Sequence, residues 1–374
     1  MKHLLAIAFL CGFTTAQAGN YAYQQDENMQ FGWLSSDMFT FFSASNTVMK
    51  VSTKSVDNIN SHNSAIWMKG WAFASDATFY SFYPYDIQHR IDNTPYSSIP
   101  VSFTNQIQTS NRSTEHLASY DYMTAQGTST SDALSLNFTH LGCIMRIAAY
   151  IPEGKTYTSL SLTTKDNTSW FATEATVNAT NNTMTTTATA STATLSLSNV
   201  AVVTDDYLTA YIMMAPADLT GKTLALTLTA SDGSVLQAYI TGCNMQQGRV
   251  YSITLGTDNY FRLQPASYQG DAISPNYQQS LTEGFDEPTD NQITEVAAYA
   301  PDFMADAENK MVAVLLGDVN VDGVVDVTDA VIVINHYQAR TTEELDFNIA
   351  DVNGDGEIDV TDAVGIINIY QNKQ

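Results

Sequence analysis

Residues 221–240 read GKTLALTLTASDGSVLQAYI. Leucines and threonines alternate up to Ala230, the triplet Ser231–Asp232–Gly233 can turn, and a second apolar-rich run follows. Alternation with period two, broken by a Gly-containing turn, predicts a β-hairpin. The stretch DALSLNFTH (132–140) places Leu134, Leu136, Phe138 and His140 on one face of another strand, and GRVYSITL (248–255) reads as a further strand. Thr, Ser, Val, Tyr and Phe abound from residue 19 to 257, and long segments of helical periodicity are absent. Such patterns predict β-sandwiches. The small, polar TAQGTSTSD (124–132) marks a weak boundary, so two sandwich domains are expected, 19–129 and 130–257. The Thr/Ala/Asn-rich NATNNTMTTTATASTATLSLS (178–198) is either a solvated hairpin or a flexible loop.

Charge divides the chain differently. The net charge of the 374 residues is −24. Residues 19–257 hold ten Lys/Arg against seventeen Asp/Glu, residues 258–309 one against ten, and residues 310–374 three against twelve. This acidity argues against nucleic-acid binding, which needs a basic face, and against attraction to an anionic membrane. Residues 258–309 lose the strand alternation and read as an acidic linker, with local order around Tyr260 to Leu263.

The N-terminus MKHLLAIAFLCGFTTAQAGN predicts a secretory signal peptide, 1–18, cleaved after Ala18. Leu10 precedes Cys11 where a lipidation site needs a small residue. No later apolar run reaches the about 18–20 residues of a transmembrane segment. A secreted or cell-surface protein is expected. Cys143 and Cys243 are then a disulfide pair or two buried thiols.

The C-terminus carries one acidic sentence twice: DVNVDGVVDVTDAVIVINHY (318–337) and DVNGDGEIDVTDAVGIINIY (351–370). Fourteen of the twenty aligned positions are identical. Positions 1, 3, 5, 9 and 12 carry oxygen ligands: Asp318, Asn320, Asp322, Asp326 and Asp329, then Asp351, Asn353, Asp355, Asp359 and Asp362. Gly323 and Gly356 stand at the sharp turn of position 6. Val324 and Glu357, at position 7, would offer backbone carbonyls. This is the layout of an EF-hand-type loop, and hard oxygen ligands suit Ca2+ rather than zinc or copper. Position 12 is Asp, not Glu, so the loop must close more tightly. The following segments are helical in pattern; the preceding ones are not. Two calcium ions are expected, coupled to folding of a module with a small core.

A half-EF-hand duplicated at this spacing resembles a type I dockerin. The resemblance implies a calcium-dependent module (310–374) that docks onto a cohesin-type scaffold protein. It also implies partner-facing residues: Val327, Thr328, Asn335 and His336 in the first repeat, Val360, Thr361, Asn368 and Ile369 in the second. Near-identity of the repeats would permit docking in two orientations.

The landmarks FYSFYPYDI (79–87), IPVSFTNQIQTSN (99–111), HLASYDYMTAQ (116–126), LSLNFTHLGCIMRIAAYIP (134–152) and ITGCNMQQGRVYSITL (240–255) resemble, in that order, the fimbrillin-like proteins of Bacteroidetes. The resemblance covers about 20–257 and implies two β-sandwich domains with a role in fimbriae or surface adhesion. Stalk pilins of that family exchange a terminal strand after proteolysis at a basic residue, yet no Lys or Arg occurs between Gly19 and Lys50. The fold class expected is mainly β, two sandwiches, with a small C-terminal α calcium-loop module.

The function expected is non-enzymatic adhesion or structure, mounted by docking. The alternatives are a dockerin-borne polysaccharide-degrading subunit (an O-glycosyl hydrolase) and a carbohydrate-binding module, with a surface glycan or host protein as ligand. Glycoside hydrolysis needs two placed carboxylates, and Glu27, Glu115, Glu153 and Glu174 lie in no recognisable motif. His62, His89, His116 and His140 have no metal-ligand spacing, and His140 reads as a structural histidine. Trp33, Trp67, Trp71 and Trp170 could stack on sugars, although core packing is the commoner role.

Overall fold

The computed structural model describes residues 20–24, 27–34, 37–43, 48–52, 63–69, 76–84, 96–130, 133–151, 153–256, 262–264, 293–342 and 344–371. The expected signal peptide, Trp71, His62, His89 and most of the expected linker lie outside them.

The opening hairpin forms. Thr223–Ala230 pairs antiparallel with Val235–Thr241, and Leu224, Leu226 and Leu228 are fully buried. Gly233 takes the left-handed turn position at φ +82°, where only glycine avoids a steric cost. These strands sit in a sheet with Lys155–Thr164 and Thr192–Val202. The second sheet holds Asp206–Met214, Cys143–Ile151 and Arg249–Leu255. Their inner faces enclose one apolar cluster that includes Cys143 and Cys243. Both cysteines are free thiols. The Thr-rich stretch is ordered as strand: Thr183–Ala190 pairs with Phe171–Asn178.

A separate cluster gathers the aromatic residues of the N-terminal half. Its five-stranded sheet runs Thr139–His140, Met123–Thr128, Thr78–Tyr83, Met38–Ser43, Val48–Ser52. Trp33 is fully buried at its centre, edge-on to Phe31 at 5.0 Å and to Tyr83 at 5.5 Å. That removes Trp33 from any sugar-binding surface; Trp170 is 39% exposed. Leu134, Leu136, Phe138 and Leu141, beyond the expected boundary at 129/130, also bury in this first cluster.

Part of the stretch read as linker is strand. Ile293–Tyr299 inserts between Ala133–Asn137, parallel, and Asn63–Lys69, antiparallel. Phe303 is fully buried and exchanges both backbone hydrogen bonds with Met29, at 2.9 and 3.0 Å. Arg262–Gln264 pairs with Val235–Gln237. Composition misled here because the acids serve the backbone. Asp302 accepts from the Phe31 N–H at 2.8 Å, and Asp306 accepts from the Glu308 and Asn309 N–H groups. His140 holds the same segment: its Nε2 meets the Pro301 carbonyl at 2.7 Å and its Nδ1 meets Asp121 at 2.8 Å. Tyr21 donates to the other Asp121 oxygen at 2.7 Å. Both histidine nitrogens are therefore satisfied in the core, as a structural histidine requires.

Side-chain amides join the two halves. The free edge of the strand Asp206–Met214 faces the side chains of Gln106, Gln108 and Asn111, with one backbone donor beside them, the Arg112 N–H to the Thr209 carbonyl at 3.1 Å. Gln106 donates to the Met213 carbonyl at 2.6 Å and accepts from its N–H at 2.9 Å. Gln108 donates to the Thr209 carbonyl at 2.8 Å and accepts from the Tyr211 N–H at 3.1 Å. Asn111 accepts from the Thr209 N–H at 2.8 Å and donates to the Tyr207 carbonyl at 3.0 Å. An amide carries both a donor and an acceptor, so three of them stand in for the missing strand and close an edge that would otherwise pair elsewhere.

Among the described residues after 314 there are three helices: α1 (Val327–Tyr337), α2 (Phe347–Ala350) and α3 (Val360–Gln371). They bury a third, small cluster of Val325, Ala330, Val333, Ala350, Ala363 and Ile366. Among the described residues no helix is long and apolar enough to cross a membrane.

Candidate metal centre

Each acidic repeat folds as a loop that runs straight into a helix. The residue at position 9 is the N-cap and the residue at position 12 is the third helical residue. Asp326 accepts from the Thr328 N–H at 2.6 Å, while Asp329 accepts from the Asp326 N–H at 2.8 Å. Asp359 and Asp362 repeat this at 2.7 and 2.9 Å. Such a capping box fixes the helix start. Two of the expected ligand positions per loop are therefore set by helix capping as well as by the loop.

The position-12 aspartates also cinch the loops. Asp329 accepts from Val319 and Asn320 N–H groups at 2.8 and 3.1 Å. Asp362 accepts from Val352 and Asn353 at the same two distances, 2.8 and 3.1 Å. The short Asp thus draws the start of the loop onto the start of the helix. At position 1, Asp318 accepts from Asp322 and Gly323 N–H groups at 3.0 and 2.8 Å. Asp351 accepts from Gly354 and Gly356 at 2.7 and 3.2 Å. Gly323 and Gly356 stand at φ +87° and +91°, which the turn at position 6 requires.

Asp318, Asp329, Asp351 and Asp362 are buried, while Asn320, Asp322, Asn353, Asp355, Val324 and Glu357 face solvent and Asp326 and Asp359 are half-buried. Among the described residues no group of three or more His, Cys, Asp or Glu side chains is gathered closely enough to hold a metal. The carboxylates turn to the loop amides instead. The donor set nevertheless fits a hard cation in kind and order. It is all oxygen, follows a tight turn, and includes two buried carboxylates per loop whose charge a divalent ion would neutralise.

The expected partner residues divide. Val327, Thr328, Val360, Thr361 and Asn368 are exposed; Asn335, His336 and Ile369 are half-buried, and Ile369 packs against the third cluster. Sequence reading missed Val331 and Val364, exposed by 47% and 56%. They stand four residues after Val327 and Val360, so each helix presents a two-valine patch on one face.

It also missed Lys165. This residue leaves the strand Lys155–Thr164 and its Nζ donates to the Asp351 carbonyl. Burial pushes its ammonium below the usual value, and the carboxylates of Asp351, Asp362 and Asp355 pull it the other way. Thr223 adds a bond to the Asn348 side chain at 3.3 Å. No local signal marks a lysine 186 residues from its acceptor.

Residues 21–267 match the family model described as Fimbrillin-like, and residues 316–369 match that of the Dockerin type I domain. Similar solved structures include a candidate cell adhesion protein from Bacteroides uniformis ATCC 8492, 18% identical, with TM-score 0.38, covering 66% of this chain and 94% of that one. A fimbrial protein from Bacteroides vulgatus ATCC 8482 is 13% identical, with TM-score 0.31, covering 60% and 91%. The tip fimbrial protein Mfa3 from Porphyromonas gingivalis is 10% identical, with TM-score 0.30, covering 61% and 91%. Comparison with curated proteins gives no match. With its sandwich strands and its duplicated loop–helix module both matched, the chain belongs to the fimbrillin-like family and carries a type I dockerin domain at its C-terminal end.

Proposed function

We propose that this chain is a secreted or cell-surface, non-enzymatic adhesion or structural subunit, mounted on a cohesin-type scaffold through its dockerin. The supporting observation is the duplication itself: two loops with the same candidate ligand set and the same position-9 and position-12 hydrogen bonds, each feeding a helix with an exposed valine pair. Two calcium ions would be held by Asp318, Asn320, Asp322, Asp326, Asp329 and the Val324 carbonyl, and by Asp351, Asn353, Asp355, Asp359, Asp362 and the Glu357 carbonyl. Calcium supplies the positive charge that lets the buried carboxylates converge. The chain's own residues do the rest. Asp326 and Asp359 start the helices, Asp329 and Asp362 close the loops, and the helices carry Val327, Thr328 and Val331, or Val360, Thr361 and Val364, to a partner. The sandwiches are then cargo, with a surface glycan or host protein as the ligand class.

The test immobilises the full chain and captures envelope and medium proteins of the producing cell, with calcium and with chelator. Capture of a cohesin-bearing protein that requires calcium, and that is lost on joint Val327→Asp and Val360→Asp substitution, is the expected result. Absence of any calcium-dependent partner removes the docking reading.

A further inference from the structure

We propose that Lys165 of the sandwich tunes the second loop of the dockerin: it weakens calcium binding at 351–362, and calcium entering there loosens the seat of the dockerin on the sandwich. The inference rests on the calcium reading above.

Lys165 is held by a stiff turn. Its N–H donates to the Thr223 carbonyl at 2.9 Å, the Thr164 N–H to Ser191 at 3.0 Å, and the Asn167 N–H back to Thr164 at 2.9 Å. Next to it Asp166 pairs with Lys222 at 2.7 Å. From this turn the ammonium reaches the carbonyl of the first loop residue, Asp351, within the field of the carboxylates at positions 1, 5 and 12. Those are the groups a calcium ion would need. A fixed ammonium and a divalent cation drawn to the same carboxylates repel each other, more strongly at a partly buried site than in water. Linkage makes the effect mutual: whatever factor Lys165 subtracts from calcium affinity, calcium subtracts from the Lys165 tie.

One sequence difference explains why the second loop takes this seat. Position 4 is Gly354, at φ +79°. A Cβ built there would already touch the Lys165 Cγ at 3.4 Å. The matching residue of the first loop is Val321, whose branched side chain is 74% exposed and would drive into the lysine stem. The two loops share their ligands, so the first serves as the internal reference for the second.

Calcium titration calorimetry on the full chain tests this. Two binding constants are expected in the wild type. Lys165→Met should tighten one of them by about tenfold and leave the other in place, Lys165→Glu should tighten it further, and Lys165→Arg should restore the wild-type value. Arginine rescue separates the charge effect from loss of packing. Calcium binding that Lys165→Met leaves unchanged, or weakens, overturns this inference alone. A wild-type chain that takes up no calcium overturns both this inference and the calcium reading.

Discussion

Val321 and Gly354 occupy the same place in two nearly identical loops, and both backbones enter the left-handed region, at φ +58° and +79°. For a β-branched residue that conformation costs about 1–2 kcal/mol, while glycine enters it freely but loses more entropy on folding. The second loop has the residue its backbone favours and the first does not. Val321→Gly should therefore stabilise the dockerin by about 0.5–1 kcal/mol net, read as an upward shift of its own thermal transition at fixed calcium. An unchanged or lowered transition would mean that the valine earns its place through contacts, against its 74% exposure. The loop glycines at position 6 were legible in the sequence. The strain at Val321 was not, because it follows from a φ value that only the folded loop imposes.

At the scale of elements, the amide ladder closes the free edge of Asp206–Met214. Gln108 is fully buried and its amide also donates to the Ser110 carbonyl at 2.8 Å. Gln108→Leu would strip the partner from the Tyr211 N–H in a dry interior, while the Thr209 carbonyl would keep the Arg112 N–H at 3.1 Å. Leaving one such group unpaired costs about 1–3 kcal/mol, measurable as a lower urea midpoint of the full chain. A loss below about 1 kcal/mol would mean that water replaces the amide there. The Gln-bearing strand was recognised in the sequence as a landmark, but its purpose was not readable. Gln106, Gln108 and Asn111 meet a strand that begins 95 residues after Asn111, at Asp206. Helix starts behave oppositely. Asp326 and Asp329, like Asp359 and Asp362, form a cap within four residues, so the loop-plus-helix unit could be read locally.

At the scale of the molecule, the described residues form three apolar clusters of unequal size. The dockerin cluster has six fully enclosed residues against about thirty in each of the other two, and it surrounds buried carboxylates. Too small to carry that charge alone, it should depend on calcium as the sandwiches do not. Chelation is expected to abolish most far-UV helical signal while leaving the near-UV signal of buried aromatic residues such as Trp33 and Tyr83. Loss of both together would show that Lys165 and Thr223 bind the dockerin and the sandwiches into one cooperative unit.

The sequence by itself determined the mainly β class, the hairpin at 221–240, the buried face of 134–140 and the two loop–helix repeats with the order of their oxygen-bearing residues. These depend on period, turn chemistry and spacing, all of which act over a few residues. Only the tertiary structure decided that Ile293–Tyr299 inserts between two N-terminal strands, that the amides of Gln106, Gln108 and Asn111 close the edge of Asp206–Met214, and that Lys165 reaches the second loop. Each joins residues about 95 or more positions apart, where no local pattern records the partner. The acidic composition of 258–309 even pointed away from the first of these, because a carboxylate that solvates a linker and one that accepts a buried backbone N–H are the same letter.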